Sequence, residues 1–162
     1  MASKLRVDSI LPVDGAPTGG GGGIIQVVQG TSTSVKVLNS TSYVATNLSA
    51  TITPKFNTSK ILINTTQVTD TEEDNRQIYL AIYRSIGGGT YSNIIGGSEG
   101  GFAADYSADG RQISTSNVMF LDSPSTTSAV TYKVYAKTSG SYGTEVGGQD
   151  TQQIMVLMEV SA

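Results

Sequence analysis

Residues 48–63 read LSATITPKFNTSKILI, and their alternation decides the fold. Leu48, Ala50, Ile52 and Pro54 share one parity, and Ser49, Thr51 and Thr53 share the other. A period of two puts successive side chains on opposite faces of an extended chain, so this is a strand with one face toward a core. FNTS is built from turn formers, and KILINTTQV (60–68) then resumes the strand.

The pattern continues in both directions. Upstream lie IIQVVQG (24–30), VKVL (35–38) and SYVATN (42–47). Downstream, RQIYLAIYRS (76–85) sets Ile78, Leu80 and Ile82 against Tyr79, Ala81 and Tyr83, which predicts cover on both faces. RQISTSNVMFLDSP (111–124) stops at Pro124, and AVTYKVYAKTS (129–139) sets Val130, Tyr132, Val134 and Ala136 against Thr131, Lys133, Tyr135 and Lys137. TQQIMVLMEVSA (151–162) closes the chain; its Ile154, Val156, Leu157 and Met158 are too apolar for an open edge, so it is expected to be central or sealed by a neighbouring subunit. Strands separated by turn signals, with no helical period, predict an all-β chain folded as an antiparallel β-sandwich, jelly-roll-like. TDTEEDN (69–75), the Gly-rich stretch 87–110 with a hairpin around YSNII, and 139–150 are expected to be loops.

GGGGG (19–23) divides the chain. Glycine carries the largest backbone freedom and no side chain to pack, so residues 1–23 are read as an N-terminal attachment arm with a Gly-rich hinge, and 24–162 as the head domain. In the arm, LRVDSILP places Leu5, Val7, Ile10 and Leu11 among polar residues, and Pro12 ends the run. So short a strand is not stable alone; it is expected to dock on a sheet edge, on copies of itself or on another protein.

Composition excludes several classes of function. The chain has no His, Cys or Trp, which removes disulfides, Ser-His-Asp and Cys-His catalysis and nearly every zinc site. Charged residues are 14% and the net charge is −3 without a basic patch, which argues against nucleic acid as a partner. No apolar run approaches the ~20 residues of a membrane span, so no membrane insertion is expected. The first residues lack the apolar core of a signal peptide, so the chain is expected to be cytosolic when made and soluble afterwards. Sequons at Asn39, Asn47, Asn57 and Asn64 follow from an Asn/Ser/Thr-rich composition.

The remaining candidates are few. Asp70, Glu72, Glu73 and Asp74 fall within five residues, a density that suits Ca²⁺, yet the spacing and the missing glycine fit no EF-hand; a solvated, aggregation-resistant loop is the reading, with no metal. Asp109–Gly110 suits a turn with positive φ. GGGGG leads into a strand rather than a helix, so no phosphate cradle and no cofactor is expected. Paired carboxylates could cleave glycosidic bonds, but a long aromatic sugar groove has little to draw on here, and no catalytic residue is assigned. Tyr79, Tyr83, Tyr132 and Tyr135 fall in strands and are expected to pack in the core or between subunits. Tyr91, Tyr106 and Tyr142 fall among Gly and Ser, a composition that suits adaptable recognition.

Three separated stretches, LSATITPKFNTSKILI (48–63), FLDSPSTTSAVTYKVYAKTS (120–139) and IMVLMEVSA (154–162), resemble in order a recurrent C-terminal module of phage virion proteins of the marine and cyanophage tail-fibre type. SKLRVDSILP resembles the short motif that opens many of them. The resemblance covers about four-fifths of the chain, transfers no binding residue, and finds almost no shaft here. It implies a homotrimeric β-sandwich head at the end of a fibre or on a capsid. The leading expectation is therefore a non-enzymatic virion protein, a short tail fibre whose arm (Leu5, Val7, Ile10, Leu11) joins other phage virion proteins. Its candidate receptor-binding loops carry Asp70, Glu72, Glu73, Asp74, Tyr91, Tyr106 and Tyr142, and a host surface glycan is the partner. A capsid decoration (cement) protein is the alternative, and a small glycan-active enzyme a third class.

Overall fold

A computed structural model of the chain describes residues 23–71, 74–95, 101–140, 143–148 and 151–161. Its strands are β1 (Ile24–Ser32), β2 (Lys36–Leu38), β3 (Val44–Ile52), β4 (Lys60–Thr71), β5 (Arg76–Ile86), β6 (Ser92–Asn93), β7 (Ala103–Ser107), β8 (Gln112–Asp122), β9 (Val130–Thr138), β10 (Thr144–Val146) and β11 (Gln153–Val160). Every pairing is antiparallel. The first sheet runs β1-β11-β4-β8, with β2 and β10 prolonging the lines of β1 and β11. The second runs β3-β9-β5, and β5 then carries both β6 and β7 on its far side. Two four-stranded layers with this order, the chain crossing between them, form a jelly-roll sandwich. The all-β expectation therefore holds, and β11 lies between β1 and β4, as its apolar sequence requires.

One parity of each strand meets in the middle. Ile61 and Ile63 of β4 and Met155 and Leu157 of β11 face Leu48 and Ile52 of β3, Ile78, Leu80 and Ile82 of β5, and Val130, Tyr132 and Val134 of β9, all essentially without exposure. Each such side chain contributes about 1.5–3 kcal/mol by leaving water. Toward the other end the interior turns polar: Thr65, Gln67, Thr69, Thr71, Thr138, Thr144 and Gln153 are buried as well.

Polar contacts lock the layers together. Arg84 Nη1 donates to both carboxylate oxygens of Asp122 at 2.8 Å, and the Tyr132 hydroxyl donates to Asp122 at 2.7 Å, so the end of β8 is tied to β5 and β9. Burial, and secondly the bond to the Asp122 carboxylate, hold the Tyr132 hydroxyl far above its ordinary range. Asp105 of β7 accepts from Thr69 Oγ1 of β4 and Gln112 Nε2 of β8, each at 2.9 Å. Glu159 is fully buried and accepts from Gln26 Nε2 at 2.5 Å and from the Lys55 and Phe56 backbone N–H groups at 2.7 and 3.3 Å, which holds the FNTS turn against β11. At Gly30 the sheets approach so closely that a Cβ would lie 2.1 Å from the Ser49 carbonyl oxygen.

Three expectations about segments need correction. Residues 69–71 do not open a loop: they continue β4, because Thr69 and Thr71 point inward and donate to Ser114 and Gln112 carbonyls of β8 while Asp70 is ion-paired. Residues 42–47 and 48–56 are not two strands but one, β3, with a register shift between Ala45 and Ser49, where Thr46 Oγ1 donates to the Val134 carbonyl of β9. The regions 87–110 and 139–150 also carry β7 and β10, segments short enough that neighbouring strands, not their own propensity, make them extended, while β6 lies within YSNII and forms with β5 the hairpin expected there. Gly110 has φ +73°, as the Asp-Gly turn requires.

Candidate binding face

The inward parity of β5 and β9 pins the other parity outward. In register, Tyr79 stands beside Lys137, Ala81 beside Tyr135, and Tyr83 beside Lys133. Tyr83 and Tyr135 stack with centroids 4.0 Å apart and planes at 19°. Tyr43, just before β3, tilts against Tyr83 at 5.9 Å, and Tyr91 tilts against Tyr135 at 5.8 Å. Lys137 Nζ lies 4.8 Å from the Tyr79 ring centre and 5.2 Å from that of Tyr43; Lys133 Nζ lies 5.9 Å from that of Tyr91. The five rings are half-buried, and Ala81 beneath them is fully covered.

Stacked and tilted ring pairs add about 0.5–1.5 kcal/mol beyond area burial, and an exposed ammonium over a ring about 0.5–1 kcal/mol. The rings are thus held in place before any ligand arrives. Burial raises the Tyr83 hydroxyl above its ordinary range; burial, and then the neighbouring Tyr91 and Tyr83, raise that of Tyr135. The face offers rigid ring surface, hydroxyls and two positive charges on a chain of net charge −3. Such a surface can hold an amphipathic ring against its aromatic faces and draw an anionic group to its ammonium groups.

The structure sorts the residues expected to bind. Tyr91 joins the ring cluster. Tyr106 is not a loop residue but lies in β7, exposed, opposite Gln77, on the same outer face. Gln77 accepts from the Tyr79 hydroxyl at 2.6 Å, while Tyr106 donates to Asn75 at 2.7 Å. Asp74 is exposed in the β4–β5 turn, where it accepts from the Gly110 N–H. Asp70 stands apart: it is fully buried in β4, and Arg111 donates to its carboxylate from Nε at 2.9 Å and from a second nitrogen. It is a structural ion-pair partner, not part of a solvated acidic loop. Glu72, Glu73, Tyr142 and the arm residues Leu5, Val7, Ile10 and Leu11 lie outside the described residues. Tyr43, Tyr79, Tyr83 and Tyr135, with the two lysines, were not expected as a site. The signal was present strand by strand, in Tyr79 and Tyr83 sharing one parity and Lys133, Tyr135 and Lys137 another; what brings them together is the β5–β9 register.

Fold and face together define an antiparallel jelly-roll sandwich whose second sheet presents a tyrosine–lysine surface. No protein-family model matches the chain, and no curated protein matches it. Among solved structures it is similar to a chain in "Structure of infectious bursal disease virus Gx strain", with TM-score 0.41 and 14% identity over 98% of this chain and 43% of that one. The chain thus spans less than half of that neighbour, and a likeness at this level carries no function across.

Proposed function

We propose that the chain is a structural protein of a tailed-phage virion: the head of a short tail fibre that works as a homotrimer and binds host-surface glycan. Its arm residues Leu5, Val7, Ile10 and Leu11 join it to other virion proteins. The observation that carries this reading is the tyrosine–lysine face of the second sheet, a preorganised surface suited to sugar rings. The ordered resemblance of three sequence stretches to phage tail-fibre modules supports the virion assignment. A jelly roll is an architecture used by capsid and lectin domains alike. Weak single-site contacts become useful avidity when three heads act together. The protein acts by binding, without catalysis.

The test is binding of the purified full-length chain to host cells and to an array of bacterial surface glycans, beside a Tyr83→Ala, Tyr135→Ala double variant. Retained binding by the variant sinks the assignment of the face. A second reading, capsid decoration, is favoured by the aliphatic outer surface of the first sheet. Localising the protein on the particle separates the two: hundreds of copies on the head indicate decoration, and a few dozen or fewer at the tail indicate the fibre.

A further inference from the structure

The outer face of the first sheet is as apolar as the second is aromatic. Four strands in register place Val27, Met158, Leu62 and Leu121 in one row across the sheet, from β1 through β11 and β4 to β8. The next row is Gln29, Val156, Asn64 and Met119, followed by Thr31, Ile154, Thr66 and Asn117; on the other side Ile24, Val160 and Lys60 complete the patch. Exposure is large at Val27 (57%), Ile24 (57%), Met119 (64%) and Leu121 (47%). Lys60 alone among these positions is charged.

At about 4.8 Å per strand and 3.3 Å per residue, four strands of eight residues span roughly 500 Å² in projection, near the upper size of apolar patches on monomeric proteins. β4 is 12 residues long, but toward its end Asp70 is fully buried and held by Arg111, so the open face stops short of it. Two such faces together bury roughly 1,000 Å², the size that a specific interface must clear. Apolar side chains bordered by Gln29, Thr31, Asn64 and Asn117 are the anatomy of such an interface.

We infer that a second copy of this chain covers this face. A foreign partner is chosen and oriented by complementary charge, and the patch has a single lysine to offer one. Two copies of a chain of net charge −3 repel each other least where they meet through surfaces nearly free of charge. The pairing is independent of the proposed reading and stands whether or not the protein binds glycan.

The absence of cysteine provides the test, because one introduced thiol is the only one in the chain. Met119→Cys and, as a control on the second sheet, Thr131→Cys are made in the full-length protein; both side chains lie outside the core. Light scattering after size exclusion is expected to give a multiple of 16.9 kDa. Maleimide is expected to label Met119→Cys at least tenfold more slowly than Thr131→Cys. Val27→Lys with Leu121→Lys, both exposed positions, is expected to reduce the mass to one chain with an unchanged circular dichroism spectrum. A monomer with both thiols equally reactive overturns the inference. So does a monomer with Met119→Cys protected, which would assign the face to the chain's own residues 1–22. An oligomer whose mass survives the double lysine variant overturns it too. Loss of glycan binding with the oligomer intact bears on the second sheet alone.

Discussion

The two outer faces of the sandwich are built by the same rule and end up chemically opposed. Each is the parity of side chains left over when the other parity fills the core. On the first sheet that remainder is Val27, Met158, Leu62 and Leu121, with Gln, Thr and Asn around them. On the second it is Tyr79, Tyr83 and Tyr135, with Lys133 and Lys137. The first offers water-averse area with no direction and suits a permanent partner. The second offers oriented rings, hydroxyls and ammonium groups and suits an exchangeable polar ligand. A protein that must assemble and also recognise something benefits from keeping these chemistries on opposite sides.

Both faces depend on the sandwich between them, so the largest effect is expected where the layers touch most closely. Gly30→Ala drives a methyl group into the Ser49 carbonyl. It is expected to cost about 3 kcal/mol or more, read as a fall in the urea midpoint, with oligomer and glycan binding lost together. Separate loss of one function would show that the faces are not held by a common frame.

Asp122→Ala comes next. It leaves Arg84 and the Tyr132 hydroxyl without their partner between the sheets and is expected to cost about 2–3 kcal/mol in the same assay. Tyr132→Phe removes only one of those bonds and is expected to cost about 1 kcal/mol.

Alkali sharpens the contrast between the faces. The Tyr83, Tyr132 and Tyr135 hydroxyls are all raised in the folded chain, chiefly by burial. Below about pH 10 they are neutral whether the chain is folded or not, and their contribution is complete. Above it the unfolded chain releases protons that the folded chain keeps, so stability falls as pH rises toward the folded values. Urea midpoints at pH 8 and pH 11 are expected to drop accordingly. The Tyr132→Phe variant is expected to lose the largest single share of this dependence.

The smallest effect is expected at the lysines. Lys137→Met and Lys133→Met are expected to change stability by less than about 1 kcal/mol, because exposed cation–ring contacts are weak. Their mark is on recognition: binding of anionic glycans should weaken and lose its salt dependence, while binding of neutral glycans is retained.

How much of this was legible in the sequence depends on whether a feature is local. The alternation of Leu48, Ala50 and Ile52, or of Val130, Tyr132 and Val134, is a property of one strand, and those residues are buried as their parity demands. The apolar β11 had to lie inside a sheet, and it does. Asp70 was misread for the opposite reason. In the sequence it belongs to an acidic run; in the fold it lies on β4 with Arg111, 41 residues away, holding its carboxylate. Nothing in TDTEEDN announces that partner. The tyrosine face was half legible: which strand positions point outward could be read, but not which strands lie side by side.

The sequence by itself determined an all-β sandwich, the parity of its long strands, and the exclusion of thiol, histidine and phosphate-loop chemistry, because these follow from composition and a period of two. Only the tertiary structure decided which outward stripes join into a surface. Register between strands distant in the chain is set by the whole core at once, and a shift of one residue would have turned both faces inside out.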